Sequence, residues 1–137
     1  MDTLMVIPAI AFYYFVTENI LVVTKSDGQS MEPTIGDCSS LLINKFSYKL
    51  LGKRVQKGDV VVSQSPVKPE IDICKRVIYT EGEYVYGIKI PPNHVWVEGD
   101  NKNNSFDSRD HGPLPECLIQ GKVMMQLYPF KKIYDQN

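Results

Sequence analysis

Lys75 is the residue whose placement most needs an explanation. In the stretch 71–79, Ile71, Ile73, Lys75 and Val77 share one face of an extended segment, and Asp72, Cys74 and Arg76 take the other. An ammonium on an apolar face is costly unless it is paired, reaches water along its methylene stem, or is put to chemical use. The use open to it is that of a base. A serine hydroxyl becomes a nucleophile only when a neighbour takes its proton, and a neutral amine can do so. An ordinary lysine, with a pKa of about 10.4, is almost wholly charged at neutral pH; burial lowers that value. Serines lie in two polar segments, Gln29-Ser30-Met31-Glu32-Pro33-Thr34 and Gly99-Asp100-Asn101 followed by Ser105 and Asp107-Ser108-Arg109.

Other reactive types give blander readings. His94 and His111 belong to no recognisable Ser/His/Asp motif and are expected as exposed loop histidines. Asp100 and Asp107 read as parts of a hydrogen-bonded loop, and no metal is needed for serine–amine chemistry. Cys38, Cys74 and Cys117 form no C-x-x-C pair and no Cys/His cluster, so they are expected as small buried or half-buried thiols. Met31 is expected to pack against lipid or substrate.

The elements that would position these residues are short. The chain opens with an apolar run, 4–16, which contains Phe12, Tyr13, Tyr14 and Phe15. It is shorter than the roughly 20 residues that span a bilayer core as a helix. An A-x-A-like cleavage site and a basic n-region are missing, which speaks against a removable secretory signal; the absence of Arg speaks against a transit peptide. Residues 1–19 are therefore expected to be a short or tilted membrane anchor, the alternative being an element buried in the core. Beyond it, β-like stretches occupy 20–25, 41–43, 60–62, 71–79, 84–90, 95–97 and 119–127, with turns at Asp27-Gly28, Gly58-Asp59, Glu81-Gly82 and Pro91-Pro92-Asn93. The stretch 101–112 is polar and too long for a tight hairpin, the kind of loop that carries function. The pattern predicts a mainly β domain over 20–137, a sandwich or partly open barrel. With 137 residues, 43% of them apolar, one domain is the natural size. Basic and acidic residues number 15 and 16 without a basic stripe, so no nucleic-acid partner is expected.

Three segments together resemble the type I signal peptidases, a Ser/Lys class with a β-rich catalytic fold. Positions 30–34 match that family's Ser-Met-x-Pro-Thr, and Lys75-Arg76-Val77 follows on the middle strand. The loop matches Gly-Asp-Asn-x-x-x-Ser-x-Asp-Ser-Arg at all seven specified positions, 99 to 109. The resemblance implies that Ser30 is the nucleophile, with its backbone N–H in the oxyanion hole, and that Lys75 is the general base. It further implies that Ser105 orients Lys75, and that Asp107 and Arg109 form a structural pair. Gly28 stands where some relatives add a hydroxyl, and Tyr79 and Glu83 stand where relatives usually carry Gly and Asp. Ile73 to Val77, His94 to Asn101 and Gly112 to Pro115 are similar to the mitochondrial inner membrane protease branch; Cys74 and Arg109 look more like its first catalytic subunit than its second. That branch implies a serine endopeptidase without cofactor, at the inner membrane facing the intermembrane space (alternatively the outer face of a bacterial plasma membrane). Its partners would be precursors with cleavable sorting peptides, inner membrane lipid and a second homologous subunit in a heterodimer. The rivals are a self-cleaving Ser/Lys regulator and a non-enzymatic interaction subunit.

Overall fold

The computed structural model describes residues 3–49 and 51–133. Helix α1 (Thr3–Asn19) is apolar around its whole circumference: Leu4, Ile7, Phe12 and Tyr13 are all more than half exposed. A helix without a polar face has no preferred side to lay on a core. The alternative of a buried core element is thereby corrected. At 1.5 Å per residue α1 is about 25 Å long, and no helix of the described residues is long and apolar enough to cross a membrane. It ends one residue before the sheet begins, with the Ile20 amide still donating to Val16 O at 2.9 Å.

The strands are β1 (Leu21–Ser26), β2 (Ser39–Asn44), β3 (Val60–Gln64), β4 (Asp72–Tyr79), β5 (Tyr84–Val85), β6 (Ile88–Lys89), β7 (His94–Glu98), β8 (Leu114–Pro115), β9 (Ile119–Tyr128) and β10 (Lys131–Lys132), with short helices α2 (Phe46–Lys49) and α3 (Ser108–His111). All pairings are antiparallel, and the main sheet runs β1-β2-β9-β3-β4-β7-β8, with β10 folded back on β9. The sheet curls and buries both faces. Val60 and Val62 join Met31, Ile35, Leu41, Ile43 and Val123 in one core, while Val61 joins Val55, Val77, Val95, Val97 and Leu114 in another. Three consecutive valines follow directly from this, because alternate side chains enter opposite cores. The expected mainly β fold with one N-terminal helix is what forms.

Two expectations are revised. The stretch 84–90 is not one strand, because Tyr86 (φ 51°) and Gly87 (φ 76°) both take left-handed backbone and fold β5 and β6 into a separate two-residue hairpin. The 101–112 loop carries its own helix, α3, capped at its start by Asp107.

Candidate active site

Ser30 lies in the turn that follows β1. Ile35 N donates to Met31 O at 2.9 Å, and Met31 and Ile35 are both buried in the first core, so the turn is pinned from below. Met31 thus packs inside the domain rather than against lipid or substrate. Lys75 is on β4 opposite Val61 and is 6% exposed. Its Nζ donates to Ser30 Oγ at 2.7 Å across 45 residues of sequence. Burial pushes the amine below its ordinary value of 10.5; the neighbouring Cys74 and the negative charge of Asp107 act the other way and do not offset it. A cleft of about 220 Å³ adjoins the pair, lined by Ser30, Leu41, Val62, Ile73, Cys74 and Lys75 on one side and by the end of β1 on the other. The Ser30 amide makes no hydrogen bond among the described residues.

Behind the pair sits Asp107, fully enclosed at 0% exposure. It accepts from Gly99 N (2.9 Å), Ser105 Oγ (2.7 Å), Arg109 N (3.1 Å), Arg109 Nε (3.0 Å) and Arg109 Nη2 (3.0 Å). Burial alone would raise this carboxyl; the Arg109 guanidinium, the Gly99 amide and the Ser105 hydroxyl outweigh it and hold the pKa at about 2. The hydroxyl of Ser105 therefore donates to Asp107, and no hydrogen bond between Ser105 and Lys75 is present among the described residues. Ser105 is nonetheless close to the nucleophile's backbone. A Cβ on Gly99 would stand 2.2 Å from Ser105 Oγ and 2.5 Å from Ser30 O, so only glycine lets these segments approach.

A second buried ion pair was not foreseen from sequence. Arg76, 3% exposed, grips Asp100 with Nε and Nη2 at 2.9 Å each and donates from Nη1 to Gly58 O at 2.8 Å. Thr34 Oγ1 donates to the same carboxylate. Burial opposes ionisation of Asp100, but Arg76 and Thr34 together hold its pKa below the usual value. The available signal was that Arg76 adjoins Lys75 while Thr34 and Asp100 lie in the two motif segments. Two further readings change. The ring nitrogens of His111 are buried without a partner and the ring packs 5.8 Å from that of Phe106, so it is not an exposed histidine. Cys38 and Cys117 are exposed, and only Cys74 is half-buried, its thiol pushed up to about 12 by burial. Tyr79 and Glu83 both engage Lys57, the first through its ring and the second through its carboxylate. Among the described residues the grouping with metal-ligand spacing is Asp27, Asp37 and Cys38, all exposed.

A curled antiparallel sheet thus brings a buried lysine amine to a serine hydroxyl next to an open cleft, the arrangement that Ser/Lys hydrolysis would require. The family model of signal peptidase, peptidase S26, matches residues 2–87 and 79–128, and the chain belongs to that family. It is similar to mitochondrial inner membrane protease subunit 1 of Xenopus tropicalis, 41% identical over 76% of this chain and 67% of the relative. It is also similar to subunit 1 of Homo sapiens, 38% identical over 78% and 69%. Subunit 2 of Mus musculus is 36% identical over 82% and 70%.

Proposed function

We propose that the chain is a membrane-bound serine endopeptidase that removes sorting peptides from precursor proteins at the mitochondrial inner membrane. The observation that carries this reading is the 2.7 Å hydrogen bond from a 94%-enclosed (6% exposed) Lys75 amine to Ser30. Lys75, when neutral, takes the Ser30 proton as Oγ adds to the scissile carbonyl; the Ser30 N–H stabilises the oxyanion. The protonated amine then gives its proton to the departing amine; neutral again, it takes a proton from the water that attacks the acyl carbon and returns it to Ser30 Oγ as the ester bond breaks. Asp107 and Arg109 act as the structural pair, holding Ser105 beside the site. Expressed full chain should cleave a peptide with small residues before the scissile bond, and Ser30→Ala should not. Equal cleavage by both would overturn the reading.

The state of Lys75 sets the pH dependence. Because its folded pKa is lowered, the active neutral form is lost as pH falls, so kcat/KM rises with pH through one ionisation below 10.5. A flat profile between about pH 6 and 10 would contradict this.

Residues 1–19 serve as the anchor of a catalytic domain spanning 20–137. The support is the all-round apolar surface of α1 and its direct run into β1. A helix of about 25 Å in a core of about 30 Å calls for local thinning or support by neighbouring helices. Deleting 1–19 is expected to move the protein from the membrane pellet to the soluble fraction, with cleavage of short peptides retained. Pelleting of the deleted protein with bare vesicles would place the anchor elsewhere. Since relatives include both subunit 1 and subunit 2 proteins, a second homologous subunit is the proposed partner, in a heterodimer facing the intermembrane space.

A further inference from the structure

The oxyanion donor needs a direction as well as a location. The Ser30 N–H and the Gln29 carbonyl belong to one planar peptide and point oppositely, so whatever holds the carbonyl aims the amide. Little on the nucleophile's own side holds it. Gly28, with φ of 107°, precedes this peptide; its own N–H is held by Asp37 Oδ1 at 2.7 Å, a bond that does not reach the Gln29 carbonyl. Within the turn, the bond from Glu32 N to Gln29 O is a long 3.2 Å.

The tighter hold comes from 72 residues away. Asn101 Nδ2 donates to Gln29 O at 2.9 Å, and Asn101 N donates to Ser30 O at 2.8 Å. One residue therefore grips both carbonyls that flank the Ser30 Cα, and so fixes the planes on either side of it. Asn101 is itself well mounted. Its neighbour Asp100 is clamped by Arg76 and Thr34, its other neighbour in the turn, Asn104, donates its amide to Asn101 O at 3.0 Å, and Gly99 sits tight against Ser30 O. We infer that Asn101 is a positioning residue for the oxyanion hole, acting through the Gln29 carbonyl to aim the Ser30 amide. This rests on the Ser/Lys peptidase reading and adds to it a residue that touches neither Lys75 nor the reacting atoms.

The role separates from that of Lys75 by what it leaves unchanged. In Asn101→Ala and in the near-isosteric, uncharged Asn101→Leu, both lacking the side-chain donor, kcat is expected to fall about 10- to 100-fold, as for a misplaced catalytic group. KM should stay within threefold, and the acidic limb of the pH profile should not move, because Lys75 keeps its surroundings. A peptide aldehyde gives a second readout. Ser30 Oγ adds to its carbonyl carbon, the hydroxyl proton passes to the Lys75 amine, and the carbonyl π pair remains on the oxygen that faces the Ser30 amide. Its affinity should fall in parallel with kcat, which a loss of general stability would not produce at temperatures well below the melt. Asn103→Ala, exposed on the same loop and without a side-chain hydrogen bond among the described residues, should stay within twofold of wild type. The inference is overturned if either folded Asn101 variant keeps kcat within twofold, if the acidic limb shifts, or if aldehyde affinity is unchanged. Should Asn101→Ala fail to fold, the same criteria applied to Asn101→Leu decide. If wild-type turnover does not depend on Ser30, the peptidase reading fails first and this inference with it.

Discussion

Ser30→Ala is expected to lower kcat by about four to six orders of magnitude while leaving the melting temperature within a few degrees, since one half-buried hydroxyl is all that is lost. Lys75→Ala should be as inactive, and Lys75→Arg should not rescue, because a guanidinium stays protonated at any useful pH. Lys75→Met adds a stability test. The folded pKa of Lys75 is lowered by burial, so the unfolded chain binds the proton more tightly and folding is penalised at neutral pH. That penalty is full below the folded pKa and fades as pH rises toward 10.5. An uncharged side chain of similar length removes it. Lys75→Met should therefore be dead yet melt higher than wild type at pH 7, with the difference shrinking in alkaline buffer. Turnover by purified Lys75→Met, or a lower melt at neutral pH, would show that the lysine is not held in a state that favours the neutral amine.

Asp107→Asn carries the largest expected loss of stability. Five donors converge on its two oxygens, and an amide offers one acceptor oxygen and an NH2 group that most of those donors cannot meet. Arg109, being exposed, is hydrated once unpaired, so the cost is that of the enclosed donors left short of an acceptor, about 2 to 3 kcal/mol, or roughly 5 to 15 °C of melting temperature in a domain of this size. Activity should fall with it, because Gly99 and Ser105 lose their common anchor. The sign of the pH effect is fixed by the depressed carboxyl. Its contribution is present above the ordinary value of 3.8 and is lost as pH falls through about 2, so wild type and Asp107→Asn should converge in strong acid. Ser105→Ala removes one donor of the five and should cost about 1 kcal/mol, with a larger proportional loss of kcat. Thermal melts and kinetics on the two variants check this; a stable, inactive Asp107→Asn beside an unstable Ser105→Ala would reverse the two roles.

The readable parts of this chain were those written in local pattern. The run of Val60, Val61 and Val62, the alternation around Lys75 and the polar stretch after Gly99 each announced an element or a segment with chemistry. What stayed hidden depends on partners distant in sequence. Arg76 looked like the polar face of a half-exposed strand, and its burial is intelligible only once Asp100 and Thr34 are beside it. Met31 looked available to lipid because its core neighbours come from β2, β3 and β9. The Tyr86-Gly87 turn was missed because a tyrosine is a poor marker of left-handed backbone. The lysine on an apolar face was the feature that local pattern made visible and local packing could not explain.

The position of β9 bears on when this chain can act. It comes after β1, β2, β3, β4 and β7 in the sequence, yet it lies in the middle of the sheet, between β2 and β3. The ribbon leading to Ser30 and the ribbon carrying Lys75 have no direct strand pairing; β9 is the seam that joins them. Until the seam closes, the lysine stands in water, protonated, and the hydroxyl has no base. A chain in which β9 is deleted or unpaired is therefore expected to leave peptides uncut. The topology makes the meeting of amine and hydroxyl conditional on a strand that contributes neither of them.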